Sequence, residues 1–285
     1  MNLREAYFDG KDGTSIFYLK DIPKSAKAIV IIAHGYMEHS GRYVEFAGKL
    51  VGQGYGVCII DHRGNGRSGG VRGDVEDFFS FVTDIKCLVS ALSVYKKPVI
   101  TYGHSMGGLI TFLYGLKYPR DLAGQIFSSP ALAPPRMCNY IPEGFYKMMS
   151  YNFPQFKIKR GGINVAVKSR EFKKMFKEDT RCNKYSTARF FDQFLRNGMT
   201  YASQNAIHYE LPSLFMTGDR DFVIPTDAAE EVVGKISDIY KTTKKYTNCM
   251  HDLLHDDSHN VTLVIEDVMN WMNEILDTKY VDNFG

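Results

Sequence analysis

Apolar residues fall along this chain in two alternating rhythms. Ala28-Ile29-Val30-Ile31-Ile32-Ala33, Tyr55 to Ile60, Val99 to Tyr102, Gln125 to Ser128 and Ser213 to Thr217 are short runs rich in apolar and β-branched side chains. Continuous runs of that length fit parallel strands covered on both faces. Between them, apolar positions recur at intervals of three and four. Phe78, Phe81, Val82, Ile85, Leu88, Val89 and Leu92 predict a long amphipathic helix, and Leu109, Phe112, Leu113 and Leu116 a second. Val264, Val268, Trp271, Met272 and Ile275 predict a closing helix. Further helices are expected up to about Val51 and from about Thr226, and a last strand over Lys244 to Thr247. Near the start, Glu5 to Phe8 and Thr14 to Leu19 flank Asp9-Gly10-Lys11-Asp12-Gly13 and read as a hairpin.

Strand alternating with helix demands a mostly parallel sheet with right-handed crossovers. The rhythm breaks between 135 and 205, where Pro135, Pro142 and Pro154 lie among Tyr140, Phe145, Tyr146, Met148, Met149, Tyr151, Phe153 and Phe156. The expected organisation is an α/β core over 1–134 and 206–285, with a mainly helical cap inserted at 135–205.

Composition narrows the class. Hydrophobic residues make up 44% and charged residues 24% of 285, which is a globular chain with ample core. A net charge of +3 is too small to imply nucleic acid. Five cysteines stand scattered at 58, 87, 138, 182 and 249 without a Cys-x-x-Cys, which argues for a reducing compartment over a disulfide framework or zinc site. The charged first dozen residues hold no signal-peptide core, and the apolar run at 28–33 is far short of a membrane span. A cytoplasmic location is expected.

The chemistry concentrates where strands end. Val99 to Tyr102 runs into Gly103-His104-Ser105-Met106-Gly107-Gly108, and a helix follows. Strand, tight turn and helix around one serine form a nucleophile elbow, and the helix N-terminus faces developing negative charge. A serine hydroxyl needs a base and an orienter. On such an elbow these follow in the order acid, then histidine, on loops after later strands. The strand at 213–217 leads into Gly218-Asp219-Arg220-Asp221, and the next into Asn248-Cys249-Met250-His251. Ser105 is thus the candidate nucleophile, His251 the base and Asp221 the orienter, with Asp219 as the competitor. Backbone N–H groups of Tyr36, after His34-Gly35, and of Met106 are the candidate oxyanion hole.

Five motifs, His34-Gly35-x-x-Glu38-His39-Ser40-Gly41-Arg42-Tyr43, Asp61-x-Arg63-Gly64-x-Gly66-x-Ser68, Gly103-His104-Ser105-Met106-Gly107-Gly108, Gly218-x-x-Asp221 and His251-Asp252-Leu253-Leu254, together resemble the monoacylglycerol lipase and lysophospholipase branch of the α/β-hydrolases. The resemblance spans nearly the whole chain and is weakest in the cap. It implies a serine hydrolase acting on single-chain glycerolipids, with the cap forming an acyl tunnel, and it places the catalytic aspartate at Asp221. Lysophospholipid, another carboxylic ester or a thioester are the alternative substrates, and a non-catalytic binding protein is the rival class. The chain departs from the family in two respects: Tyr36 stands where a small residue is usual, and Asn248 and Cys249 stand where a glycine commonly precedes the histidine.

Other residues carry lesser expectations. Glu38 and Arg42 could contact substrate hydroxyls or brace the oxyanion loop. Tyr146 and Met149 are candidate acyl contacts in the cap. The Arg63-Gly64 stretch is expected to be structural, packing one strand-end loop against the elbow. His251 and His255 mimic a zinc-binding spacing, but Asp252 replaces the glutamate that such a motif needs. No metal or cofactor is called for, and His255 and His259 read as exposed loop residues. Cys182 and Cys249 read as buried thiols. Between 135 and 177, ten Lys or Arg stand against two Glu, a charge of +8 that leaves the rest of the chain at −5. Basic residues among aromatics point either to an anionic lipid surface or to a solvated lid.

Overall fold

The computed structural model describes residues 1–134, 142–159 and 163–277. Strands β1 (Arg4–Asp9), β2 (Ser15–Asp21), β3 (Ile29–Ala33), β4 (Gly56–Ile60), β5 (Val99–His104) and β6 (Gly124–Ser128) come first. The short β7 (Lys157–Lys159) and β8 (Tyr185–Thr187) follow, and then β9 (Ser213–Gly218) and β10 (Lys241–Tyr246). Eight of these form one sheet in the order β1-β2-β4-β3-β5-β6-β9-β10. The pairs β1–β2 and β2–β4 are antiparallel, and every other pair in that sheet is parallel.

Register places the chemistry. Ala33 pairs with both Ile60 and Gly103, and His104 with Ser128, so β3, β4, β5 and β6 end level with one another. The loops after β9 and β10 leave from the same edge, with Gly218 opposite Tyr246. Ligands bind at the carboxyl edge of parallel sheets because the loops converge there.

The continuous apolar run of β3 feeds two cores. Ile29, Ile31 and Ala33 face helices α2 (Phe79–Leu92), α3 (Met106–Lys117) and α9 (Thr226–Gly234), beside Phe81, Ile85, Leu109, Phe112 and Val232. Val30 and Ile32 face α1 (Val44–Gly52) and α10 (Ser258–Asp277), beside Phe46, Leu50, Val264, Val268 and Trp271. Each fully buried side chain of this kind stabilises the fold by about 1.5–3 kcal/mol.

Between β6 and β9 run α4 (Glu143–Asn152), α5 (Ile163–Ala166), α6 (Arg170–Glu178) and α7 (Ala188–Asp192). The last continues through a wide π-helical stretch, Gln193–Thr200, into α8 (Tyr201–Asn205). Helix α4 packs on α7. Phe190, Phe194, Met199 and Ala202 are buried in the core that α2 and α3 share. Gly198 sits where a Cβ would come within 2.9 Å of Leu109 Cδ2. The antiparallel β7–β8 ribbon was not foreseen, because three-residue strands carry no readable period.

The last strand begins at Lys241, three residues before the expected start. Its sequence, Lys-Thr-Thr-Lys-Lys-Tyr, hides it: the strand is an edge, and lysines there deter pairing with another chain. Among the described residues no helix is long and apolar enough to cross a membrane.

Candidate active site

Ser105 occupies a conformation that most L-residues avoid, φ 51° and ψ −115°. The surrounding glycines explain how it is held. A Cβ on Gly107 would lie 2.2 Å from the Ala33 carbonyl oxygen, and one on Gly103 2.4 Å from Thr111 Oγ1. Helix α3 therefore presses against β3 and β5 more closely than side chains permit. The Ser105 N–H donates to Ser128 O at 3.0 Å, and its carbonyl accepts from the N–H groups of Leu109 and Ala131 at 3.1 and 3.0 Å.

The hydroxyl has an imidazole beside it. His251 Nε2 lies 2.9 Å from Ser105 Oγ, and His251 Nδ1 lies 2.7 Å from Asp221 Oδ2. All three residues are buried. The second Asp221 oxygen accepts from the Val223 and Ile224 N–H groups at 2.8 and 2.9 Å, which fixes the carboxylate plane. Asp219, the competitor, is exposed, and its N–H donates to Tyr246 O.

Burial alone would favour neutral forms of the pair. Against it, the Asp221 charge and hydrogen bond, with Asp252 and Glu38 beyond, leave the His251 pKa raised above 6.5. Asp221 shows the mirror balance: burial opposes its charge, but His251 and the two N–H donors hold its carboxyl below 3.8.

The loop carrying His251 turns at Asn248, φ 60°. Asparagine tolerates this left-handed conformation better than most residues, so it can stand where the family usually has glycine. Gly218 lets the same loop approach, since a Cβ there would meet Cys249 O at 2.4 Å.

On the other side of the serine, Met106 opens α3, so its N–H is among the first-turn donors without an intrahelical partner. The loop holding Tyr36 is braced from behind. His34 donates from Nδ1 to Gly35 O at 2.7 Å, and its Nε2 accepts from the His62 N–H at 3.0 Å. Glu38 accepts from the Gly35 N–H at 3.3 Å and from the Tyr43 hydroxyl at 2.9 Å. Arg42 lies 3.9 Å from Glu38, with its guanidinium over the rings of Phe172 and Phe176 at 4.1 and 4.4 Å. Glu38 and Arg42 are thus engaged in holding the loop and α6. Tyr146 and Met149 are half-buried on α4.

Arg63 has a structural role: it forms a two-pronged pair with Asp84 of α2, both contacts 2.7 Å, and reaches Asp12 of the first hairpin at 2.7 Å. Two histidines need correcting. His255 is not an exposed loop residue. Its Nδ1 lies 2.9 Å from Asp252, and its ring is 3.9 Å from that of Phe172. His259 is exposed in the first turn of α10. His251 and His255 engage different carboxylates, which leaves the metal-like spacing without a shared centre.

Cys249 is buried, and burial pushes its thiol up to about 12. Cys182 is buried as well, whereas Cys138 lies outside the described residues. Sequence reading missed His104. Its ring stands 5.0 Å from that of His251, and its Nδ1 donates to Ser128 O at 3.1 Å. The only available signal was its place beside the nucleophile.

A mostly parallel sheet, an elbow at the end of β5 and an acid and a histidine after β9 and β10 define an α/β-hydrolase. More narrowly, the chain belongs to the family described as serine aminopeptidase, S33, whose model matches residues 24–258. Among its relatives, the monoacylglycerol lipase of Mycolicibacterium smegmatis is 29% identical over 271 residues, covering 94% of this chain and 96% of that one. The human monoglyceride lipase is 29% identical over 254 residues, 87% of this chain and 83% of that one. The crystal structure of the Paleococcus ferrophilus monoacylglycerol lipase superposes with a TM-score of 0.81 at 22% identity, over 96% of this chain and all of that one.

Proposed function

We propose that this chain hydrolyses monoacylglycerols to fatty acid and glycerol. The observation that carries the reading is the Ser105–His251–Asp221 relay, with contacts of 2.9 and 2.7 Å, at the tip of the elbow. Monoacylglycerol lipases among the relatives, over most of the chain's length, support the choice of ester.

In this reading Ser105 Oγ attacks the ester carbonyl while His251 Nε2 takes its proton. Asp221 holds the imidazole with its proton on Nδ1 and stabilises the imidazolium. The tetrahedral oxyanion lies against the N–H groups of Tyr36 and Met106. His251 then protonates the departing glycerol oxygen, leaving an acyl-Ser105. Water, deprotonated by His251, attacks that acyl group, and the fatty acid leaves as Ser105 regains its proton. Glu38 and Arg42 act through the loop that carries Tyr36.

Residues 135–205 serve as the lid, with Tyr146 and Met149 among the acyl contacts. Phe145, Met148, Tyr151, Phe153 and Phe156 are exposed, and the sequence of this stretch is basic, which supports contact between a cytoplasmic enzyme and a membrane surface. Co-sedimentation with vesicles tests this: loss of binding when anionic lipid is omitted is expected, and no binding to either kind refutes it.

The function itself is tested by a panel of monoacylglycerols of graded chain length, a lysophospholipid, a short aryl ester and an amino-acid p-nitroanilide, with fluorophosphonate labelling alongside. Monoacylglycerols as preferred substrates, with labelling lost in Ser105→Ala, are expected. A labelled enzyme that prefers lysophospholipid or the anilide overturns the substrate. Absence of labelling overturns the chemistry.

A further inference from the structure

The loop from His34 to Ser40 faces two ways. Its inner side is fixed within the core by His34 and Glu38. Its outer side is fastened to the insertion at two points. The Tyr36 ring stacks on Phe190, centroids 5.5 Å apart at 23°, and lies parallel to Phe194 at 6.4 Å and 8°. Phe191 meets it edge-on at 5.8 Å. Three residues along, His39 Nε2 donates to Asp179 Oδ2 at 2.7 Å, while its Nδ1 accepts from the Gly41 N–H at 3.0 Å. The two bonds fix the tautomer, with the proton on Nε2.

The three phenylalanines lie on α7 and the start of the π-helical stretch, and Asp179 follows α6. There is almost no slack: the void bordered by Tyr36, Met37, Met106 and Phe190 measures about 10 Å³, roughly the room for one water. Met37, next to the ring, is itself at φ 61°. A shift of α7 therefore cannot leave the Tyr36 backbone in place unless the stack breaks.

We propose that Tyr36 is a positioning residue: through its ring, with the His39–Asp179 bond as second anchor, the insertion sets the aim of the Tyr36 N–H at the oxyanion. The inference rests on the reading of that N–H as an oxyanion donor and of the insertion as the acyl-binding lid. Contacts between lid and acyl chain then act at the carbonyl. Binding energy from a remote part of the substrate appears in turnover instead of being confined to affinity. In the wild type, kcat is then expected to rise with acyl chain length. With the stack removed, chain length is felt in KM alone.

The experiment compares wild type with Tyr36→Leu, the double variant Phe190→Leu/Phe194→Leu, and Asp179→Asn. Each is measured with a short and a medium-chain ester and with a trifluoromethyl ketone of the same chain, which forms a tetrahedral adduct on the serine. Losing an oxyanion donor outright costs about 10²–10³ in kcat. A donor displaced and not lost should cost about tenfold, with KM changed less than about twofold. The ketone should lose affinity by the same factor, and the kcat advantage of the longer ester should disappear. Tyr36→Phe keeps the ring and should recover most of the loss.

Asp179→Asn leaves the stack intact and should show a smaller change of the same kind, which keeps the idea testable if the aromatic variants fold poorly. A rise in KM with kcat and ketone affinity unaltered would make the ring merely a pocket wall and overturn the proposal. If wild-type Ser105 fails to react with fluorophosphonate, the hydrolase reading falls first. If it reacts and the variants keep the chain-length dependence of kcat, only the coupling falls.

Discussion

Changing Asp221 to asparagine removes one charge and nearly nothing else, and the structure specifies how the amide will sit. Asp221 Oδ1 accepts from the N–H groups of Val223 and Ile224 at 2.8 and 2.9 Å. Only an oxygen satisfies two donors, so the amide NH₂ must turn toward His251. There it faces Nδ1, 2.7 Å away in the native enzyme. Two hydrogens cannot share that contact, so Nδ1 becomes an acceptor and the imidazole proton moves to Nε2. That proton then points at Ser105 Oγ, where a lone pair is required. Fold and packing survive while the base is lost. The expected fall in kcat is about 10⁴-fold, close to 5.4 kcal/mol of barrier at about 1.36 kcal/mol per decade. Asp219→Asn, on an exposed side chain, should stay within about twofold of wild type. The assay is kcat and KM for a monoacylglycerol at pH 8, with thermal melting to show that both variants fold. If Asp221→Asn keeps more than a tenth of wild-type turnover, or Asp219→Asn falls as far, the assignment of the orienter is wrong.

Other consequences are quicker to check. Because the His251 pKa is raised above 6.5, kcat/KM should decline on the acid side through a value above that figure, and the residual activity of Asp221→Asn should decline at lower pH; an acid limb that ignores Asp221→Asn would contradict the pairing. The same pair links stability to pH. His251, with its pKa raised in the fold, contributes fully below 6.5 and fades as pH rises through the folded value. Asp221, lowered in the fold, contributes above 3.8 and fades as pH falls through its folded value. Replacing either residue should therefore narrow the melting-temperature difference between pH 5 and pH 9. Gly107→Ala places a carbon 2.2 Å from Ala33 O and should cost about 3 kcal/mol or more in denaturant unfolding; a cost below 1 kcal/mol would show that α3 does not press on β3 as described. Iodoacetamide at pH 7.5 should leave activity intact, since burial pushes the Cys249 thiol up to about 12, and inactivation with a label at Cys249 would refute this.

How far the sequence reached follows from how local each feature is. The apolar runs of β3 and β4 and the three-four spacing of α2 and α3 are properties of contiguous residues, as is the turn around Ser105, so strand order along the chain and the elbow were readable. Position after a strand admitted both Asp219 and Asp221; the choice of Asp221 came from the family resemblance, which sets the aspartate three residues after Gly218, and the burial of one beside the exposure of the other gives its physical ground. The last strand was legible over Lys244 to Tyr246, but its start at Lys241 was not, because an edge carries lysines where a buried strand would carry valines. His255 was misplaced because the ring it packs on, Phe172, comes from a distant helix, and the Asp84 that engages Arg63 was not legible for the same reason: packing chooses such partners, which no short window records.

Sequence by itself determined that this chain alternates strand and helix, and that one serine stands at a sharp turn between them. Tertiary structure alone decided that residues 105, 221 and 251 meet within hydrogen-bonding reach. It alone decided, too, that the Tyr36 ring is gripped by Phe190 and Phe194. The reason is one of range: backbone preference and periodicity act over a few residues, whereas side chains brought level by sheet register have no common signature along the chain.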